Sequence, residues 1–377
     1  MEMMNQHRSQ VKLTMSKQTY NFCAGPAALP RQVMSKAQEE LLDWQGMGIS
    51  VMEISHRSNE YQALAEKAET NLRKLLNIGD EHAVLFLAGG ASIQFSNIPM
   101  CLLAPDKTAE YISNGMWSIK AAKEATRYGS VNQINAVDID STGIRSLNNR
   151  QSWDRTENPA YTHYTPNETI EGLRFSTIPE SNGPVIADMS SSILSEQLNI
   201  NNFDMIYAGA QKNIGPAGMS IVIIKHSLIQ QMNFDRVPNV FNYDIQAKNG
   251  SMINTPPTYA WYLSSLVFEW LVEQGGVAEM EKQALQKSTM LYQCIDQDDF
   301  YRNPIAVNDR SRMNIPFILK DNSLNDVFVR EAKAANLVGL EGHRSVGGMR
   351  ASLYNSMPVD GVQSLISFMT EFKNKHG

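Results

Sequence analysis

A chain of 377 residues, 42% of them hydrophobic and 19% charged, is long enough for two packed domains and has the composition of a globular protein. Its net charge of −6 argues against general nucleic-acid binding, so an anionic substrate would have to be attracted by a local basic cluster. The three cysteines, Cys23, Cys101 and Cys294, have neither paired nor metal-type spacing, which suits a cytoplasmic protein without a metal site, and no apolar run approaches the ~20 residues of a membrane helix.

The first segments of the chain predict a polar extension followed by two helices. Residues 1–17 lack the apolar core of a secretory signal, and we expect them to be disordered. Pro30 suits the first turn of a helix. The apolar face of that helix would carry Val33, Ala37, Leu41 and Trp44. A second amphipathic helix is predicted at 59–76.

A turn rich in small residues follows the first predicted strand, at 83–87. Residues 88–95 read AGGASIQF, and small side chains between a strand and a helix let backbone N–H groups approach a phosphate at the positive helix end. The turn lacks the G-x-G-x-x-G pattern, so a dinucleotide site is not supported.

Asp188 and Lys212 each follow a short apolar strand pattern, at 184–187 and 203–208. Their separation leaves room for a crossover between neighbouring parallel strands, whose carboxyl ends collect ligands. Pyridoxal phosphate needs this pair, because the lysine holds its aldehyde and the carboxylate keeps its ring nitrogen protonated. The alternatives are a surface turn lysine and a helix-capping aspartate.

The rest of the chain predicts an α/β fold with a second, smaller domain. Strand patterns near residues 84, 110, 185, 205 and 220 alternate with helices or loops, which favours a mostly parallel sheet flanked by helices. The polar stretch from the 140s to Thr156 predicts a loop or short hairpin. Gly275 and Gly276 precede a long helical pattern, and the strands and helices beyond it suggest an α+β domain.

Five segments together resemble the phosphoserine aminotransferases of the class-V, pyridoxal-phosphate-dependent aminotransferases. They read SHRS at 55–58, PNET at 166–169, QKNIGPAG at 211–218, NTPPT at 254–258 and GHRSVGGMR at 342–350. The resemblance implies a fold type I transferase. Its domains would be an N-terminal small-domain segment at 18–29, a large cofactor-binding domain at 30–271 and a small α+β domain at 272–377.

The resemblance also implies the cofactor site. Lys212 and Asp188 would be catalytic, with Lys212 as the Schiff-base lysine and Asp188 as the partner of the ring nitrogen. The other implied cofactor-binding residues are Ala91, Ser92, Trp117, Thr169, Gln211, Asn254 and Thr255. Asn254 and Thr255 would reach the cofactor phosphate of a neighbouring subunit, which makes the expected enzyme a homodimer with shared active sites.

The implied substrates are glutamate and 3-phosphohydroxypyruvate, and the resemblance extends to the phosphorylated precursor in pyridoxine synthesis. Arg350 would bind the α-carboxylate. The substrate phosphate or the glutamate side chain would be bound by His56, Arg57, His343 and Arg344, since forked, charged donors suit these anions. Two departures affect expected affinity: Ser92 stands where some relatives have arginine, and Cys23-Ala24 replaces a serine pair.

Two other classes remain open at this point. A different class-V enzyme, such as a cysteine desulfurase or an alanine–glyoxylate aminotransferase, would share the fold, but a desulfurase needs a reactive cysteine on a mobile loop. A non-enzymatic phosphate-binding module would not need Lys212, Asp188 and Trp117 together.

Overall fold

The computed structural model describes residues 18–377, so the prediction for residues 1–17 lies outside the described part of the chain. The strands are β1 (Tyr20–Asn21), β2 (His82–Ala88), β3 (Thr108–Ser113), β4 (Ser130–Asn135), β5 (Val137–Ile139), β6 (Arg145–Leu147), β7 (Thr162–Tyr164), β8 (Val185–Asp188), β9 (Met205–Gly209), β10 (Met219–Lys225), β11 (Tyr301–Arg302), β12 (Asn314–Leu319), β13 (Leu337–Val338) and β14 (Met349–Ser352). The helices are α1 (Arg31–Glu39), α2 (Asn59–Leu76), α3 (Ala91–Leu102), α4 (Met116–Ala125), α5 (His226–Ile229), α6 (Tyr243–Lys248), α7 (Thr258–Glu273), α8 (Gly276–Ile295), α9 (Asn325–Ala334) and α10 (Val359–His376).

Seven strands form the central sheet in the order β2-β10-β9-β8-β7-β3-β4. Only β10 runs antiparallel to its neighbours, β2 and β9, and the other pairs are parallel. One face of the sheet packs against α1, α2 and α7, and the other packs against α3 and α4. The predicted α/β fold, with a mostly parallel sheet flanked by helices, is therefore confirmed.

The C-terminal part of the chain builds a second apolar cluster around a three-stranded sheet, β11-β12-β14. The N-terminal strand β1 pairs in parallel with β13, and Phe22 is fully buried in this cluster. Because α8 contacts both α7 and α10, the boundary at residue 272 stays a prediction.

Two strands of the seven-stranded sheet were not predicted, and one predicted helix is shorter than expected. β7 has the sequence Thr-His-Tyr, so it gives no apolar run although all three residues are buried. β4 lies at the sheet edge and is largely polar. Helix α1 ends at Glu39, and Trp44 reaches the core from a separate 3₁₀ turn at Trp44–Gly46, whereas Leu41 is 36% exposed.

The other local predictions agree with the structure. Helix α2 begins at Asn59 and ends at Leu76, with Ser58 accepting a hydrogen bond from the Tyr61 N–H as its cap. The polar stretch beyond residue 136 contains the β5–β6 hairpin. Among the helices of residues 18–377, none is long and apolar enough to cross a membrane.

Candidate active site

Five segments of the central sheet region end at one cavity. Its lining comes from the turn that begins α3, from Trp117 on α4, from the segment after β7, from the end of β8 and from the segment after β9. These segments follow the carboxyl ends of parallel strands, where the side chains beyond each strand converge. The cavity is lined by Gly90, Ala91, Ser92, Phe95, Trp117, Thr165, Asn167, Thr169, Asp188, Ser190, Ser191, Gln211 and Lys212.

Lys212 lies in the short connection between β9 and the antiparallel strand β10. Its Nζ donates a hydrogen bond to Thr169 Oγ1 at 2.5 Å, and the Thr169 side chain is buried. Burial lowers the pKa of Lys212 to about 8, although the carboxylates of Asp188 and Glu168 oppose this shift. The amine is therefore much closer to its neutral, nucleophilic form near pH 7 than an exposed lysine would be.

Asp188 ends β8 and is buried, with 5% of its surface exposed. Its Oδ1 accepts hydrogen bonds from Ser190 Oγ at 2.6 Å and from the Ser190 N–H at 3.0 Å. Burial raises the pKa of Asp188, whereas Lys212, Ser190 and Tyr207 act in the opposite direction. The carboxylate thus lacks a full cationic partner and would be stabilised by a protonated ring nitrogen.

A buried pair, Tyr207 and His163, stands behind Asp188 and was missed by the sequence analysis. Tyr207 is the register partner of Asp188 across β8 and β9, and its hydroxyl lies 2.8 Å from His163 Nε2. Burial lowers the pKa of His163 to about 3, so the imidazole is neutral. The only available signal was that Tyr207 is a polar group in an otherwise apolar strand five residues before Lys212.

Trp117 occupies the first turn of α4, and its ring packs at a centroid distance of 6.5 Å from Phe95. Its indole Nε1 is buried without a hydrogen-bond partner among the described residues. An aromatic face in a cavity that also holds an amine and a carboxylate is suited to stack on a flat cofactor ring.

The start of α3 forms the opposite end of the cavity. Its N-cap is Gly90, which provides no side-chain cap for the first helical N–H groups. A Cβ on Gly209 would lie 2.6 Å from Gln211 Oε1 and 3.4 Å from Ala91 Cβ, so Gln211 lies beside the helix start. This end can hold a phosphate, and the complete donor set fits pyridoxal phosphate.

The comparisons with known proteins agree with this geometry. The family model described as aminotransferase class-V matches residues 19–365. The chain belongs to the class-V aminotransferases. The phosphoserine aminotransferase of Acinetobacter baylyi is 57% identical over 95% of this chain and 99% of the relative.

Two solved structures resemble this class-V aminotransferase over nearly its whole length. The phosphoserine aminotransferase from Bacillus circulans subsp. alkalophilus has a TM-score of 0.91 and 41% identity, and the match covers 96% of this chain and 100% of the other. The pyridoxal-phosphate-bound phosphoserine aminotransferase from Trichomonas vaginalis has a TM-score of 0.89 and 38% identity, with coverages of 94% and 100%.

Among the predicted substrate residues of this class-V aminotransferase, Arg350 is the one whose charge acts on Lys212. Arg350 is half-buried on β14, and its Nη1 donates to the Thr169 carbonyl at 3.3 Å. Burial lowers the pKa of Arg350, and its positive charge contributes to lowering that of Lys212. A guanidinium at this place can bind an anionic group on a molecule held at Lys212.

The remaining predicted residues lie outside the cavity lining. His343 and Arg344 belong to the turn between β13 and β14, where His343 Nδ1 lies 2.7 Å from Ser345 Oγ and Arg344 is exposed. His56 and Arg57 precede α2, and Asn254 and Thr255 are exposed before α7.

The loops of His56 and Asn254 are close together in the fold. Gln62 Nε2 donates to the His56 carbonyl at 2.6 Å and contacts Met252 Sδ at 3.2 Å, two residues before Asn254. His56 Nε2 is buried without a partner among residues 18–377. The two loops therefore lie close together, and none of their four predicted residues lines the cavity described above.

The cysteines do not resemble the nucleophile of a desulfurase. Burial raises the pKa of Cys101 to about 12, and it also raises the pKa of Cys294. Cys23 follows β1, with its N–H donating to Asn21 Oδ1 at 3.0 Å. A reactive thiol instead needs an exposed, electropositive environment. Within the described chain, no three His, Cys, Asp or Glu residues are grouped to hold a metal ion.

Proposed function

We propose that this protein is a pyridoxal-phosphate-dependent phosphoserine aminotransferase. It exchanges the amino group between glutamate and 3-phosphohydroxypyruvate, giving phosphoserine and 2-oxoglutarate. The observation that carries the proposal is that Lys212 and Asp188 line one cavity, with Arg350 bound to the carbonyl of Thr169 in the same lining. Support comes from phosphoserine aminotransferases that match almost the full chain at 53–57% identity.

Pyridoxal phosphate supplies an aldehyde that condenses with amines and a ring that accepts the electron pair released at the substrate carbon. Lys212 would hold the aldehyde, and its Nζ would serve as the base that accepts and returns a proton at the reacting carbon. Thr169 orients that Nζ through the 2.5 Å hydrogen bond. The lowered pKa of Lys212 suits both roles, because a base near neutrality can accept and return a proton.

Asp188 carries the negative charge that keeps the ring nitrogen protonated. Ser190 Oγ donates a hydrogen bond to the carboxylate, and Tyr207 lies beside Asp188 on the neighbouring strand β9. Trp117 would offer its face to the ring, and the first turn of α3 with Gln211 would hold the phosphate. Arg350 binds the α-carboxylate that every amino-acid and oxo-acid substrate carries, which fixes the reacting carbon near Lys212.

The active enzyme is a homodimer in this proposal, because four of the proposed binding residues do not line the cavity of their own chain. Asn254 and Thr255 would contact the partner's cofactor phosphate, and the neighbouring His56 and Arg57 would contact the partner's substrate. Large exposed apolar side chains near these loops, including Met47, Ile49 and Met52, are consistent with a covered surface.

His343 and Arg344 complete the proposed site for the substrate phosphate. Their turn contains Gly347 and Gly348, both at positive φ, and leaves Arg344 exposed to an incoming anion. The same phosphate site would accept the phosphorylated precursor of pyridoxine, and both reactions would take place in the cytoplasm.

A coupled assay tests the reaction directly. We expect turnover with glutamate and 3-phosphohydroxypyruvate, and much weaker turnover with the unphosphorylated oxo acid. Lys212→Ala should be folded and almost inactive, whereas Lys107→Ala, an exposed lysine before β3, should match the wild type. Near-normal activity in Lys212→Ala, or equal kcat/KM for the two oxo acids, would refute the proposal.

A further inference from the structure

Two glutamates cap the helix that carries Trp117: Glu168, which is buried, and Glu171, which is half-buried. Glu168 Oε1 accepts hydrogen bonds from the N–H groups of Trp117 at 2.5 Å and Ser118 at 3.2 Å. Glu171 Oε1 accepts from the Met116 N–H at 3.2 Å. Three of the first N–H groups of α4 are thus bound by carboxylates that come from the segment after β7.

The second oxygen of each carboxyl group has no visible partner. Glu168 Oε2 and Glu171 Oε2 are both buried, and neither accepts a hydrogen bond from any residue in the 18–377 range. Both carboxyl groups lie close to Gly115. A Cβ on Gly115 would lie 2.5 Å from Glu168 Cγ and 2.7 Å from Glu168 Cδ, and it would also contact Glu171 Oε2. The two unpartnered oxygens therefore belong to neighbouring carboxyl groups.

The surrounding charges do not neutralise two carboxylates. Glu168 is influenced by the repulsive charge of Glu171 and by the attractive charge of Lys212. Glu171 acts on Arg350, which in turn lies beside Thr169. Because Lys212 also acts on Asp188, and no donor among residues 18–377 reaches Glu168 Oε2, the Glu168 carboxylate has no cation of its own.

We propose that Glu168 and Glu171 share one proton in the folded enzyme, which joins their two unpartnered oxygens, and that Glu168 thereby acts as a positioning residue for Trp117. The proton supplies a donor for one orphaned oxygen and removes the repulsion between like charges. The single remaining negative charge still suits the positive end of α4. The role at Trp117 rests on the proposed cofactor site, whereas the shared proton does not.

The electrostatics of the pair agree with this arrangement. Burial and the neighbouring Glu171 raise the pKa of Glu168 to about 8, against the opposing effects of the Trp117 and Ser118 N–H groups and of Lys212. The folded state therefore holds a proton from about pH 4.5 to about pH 8 that the unfolded chain releases. Above about pH 8 the proton is lost, and the repulsion should loosen the start of α4.

Infrared spectroscopy of the cofactor-loaded enzyme can detect the shared proton. We expect the wild type at pH 7 to show a protonated-carboxyl band that disappears above about pH 9 and is missing in Glu168→Gln. Glutamine at position 168 keeps the acceptor for the Trp117 N–H and can donate a hydrogen bond to Glu171. The dissociation constant of the Glu168→Gln enzyme for pyridoxal phosphate should therefore stay within about threefold of the wild-type value. Glu157→Gln, at an exposed position, should leave both measurements unchanged.

Glu171→Gln provides the reciprocal test and covers a Glu168 variant that fails to fold. It should also lose the band, because the new amide donates to an ionised Glu168. Glu168→Ala removes the acceptor as well, and we expect pyridoxal phosphate to bind about tenfold or more weakly. The proposal is overturned if the wild-type band is absent, if it survives in both glutamine variants, or if Glu168→Gln weakens cofactor binding as much as Glu168→Ala. A failure of the phosphoserine reaction would be seen separately, in the substrate assay alone.

Discussion

Lys287 offers a quantitative test of the packing behind the active site. It lies on α8 with 1% of its surface exposed, and its Nζ donates to the carbonyls of Tyr354 at 2.9 Å and Met357 at 2.8 Å. Among residues 18–377, no carboxylate forms an ion pair with Lys287. Burial lowers the pKa of Lys287 to about 7. A neutral amine has two N–H groups, so it satisfies both carbonyls without leaving a third proton unpaired.

The lowered pKa makes the stability contribution of Lys287 depend on pH. Unfolded lysine has a pKa of about 10.4, so between about pH 7 and pH 10 the unfolded chain binds a proton that the folded chain lacks. The free energy of unfolding should therefore rise with pH by up to ~1.4 kcal/mol per unit from this residue alone. The cost of burying the lysine is fully present below about pH 7 and is relieved as the pH approaches 10.

Lys287→Met removes this proton while keeping the length of the side chain. We expect the difference in unfolding free energy, wild type minus variant, to increase by about 2 kcal/mol between pH 7 and pH 9. Chemical denaturation of both proteins across this range gives the difference. Lys282→Met, at a largely exposed lysine on the same helix, should show no such change. A constant difference between wild type and Lys287→Met would refute the assigned proton balance.

Three further predictions concern the site itself. Asp188→Ala should lower kcat/KM by about a thousandfold or more, through loss of the charge opposite the ring nitrogen, and a loss within tenfold in steady-state kinetics would contradict that role. Arg344→Ala should reduce transition-state stabilisation for the phosphorylated oxo acid by ~2–3 kcal/mol more than for its unphosphorylated analogue. Arg350→Ala should lower kcat/KM equally for both oxo acids, so kcat/KM measured with each of them decides between the two roles. Gly115→Ala should lower the unfolding free energy by about 1–3 kcal/mol in denaturation, because its Cβ would meet Glu168 and Glu171, and an unchanged midpoint would mean that the pair can move.

The parts of the site that depend on local sequence patterns could be predicted from the sequence. Asp188 and Lys212 each follow an apolar run, and the rule that parallel strands gather ligands at their carboxyl ends was enough to bring them together. The structure has both at one cavity. Helix α2 was predicted to the residue because its apolar stripe lies within one segment.

Contacts between segments that are distant in the chain could not be predicted from the sequence patterns. Strand β7 has no apolar run, so neither the strand nor the partnership of His163 with Tyr207 could be predicted from periodicity. Glu168 lies in the PNET segment, and nothing in that segment indicates that its side chain binds the Trp117 N–H across 51 positions of the chain. Lys287 reads as a polar residue of an amphipathic helix, and only the turn at 354–357 explains its burial.

That turn links the C-terminal part of the chain to Lys212. The Asn355 N–H donates to Asn213 Oδ1 at 3.0 Å, and Asn213 directly follows Lys212. Asn213 Nδ2 in turn donates to the Ile193 carbonyl at 3.0 Å, and Asn355 Nδ2 donates to the Leu194 carbonyl at 2.8 Å. Because Lys287 holds the carbonyls on either side of Asn355, a buried amine on α8 fixes the backbone next to Lys212. The position of the reactive amine is therefore determined from both ends: by Thr169 at its Nζ, and by contacts with the C-terminal part of the chain at its backbone.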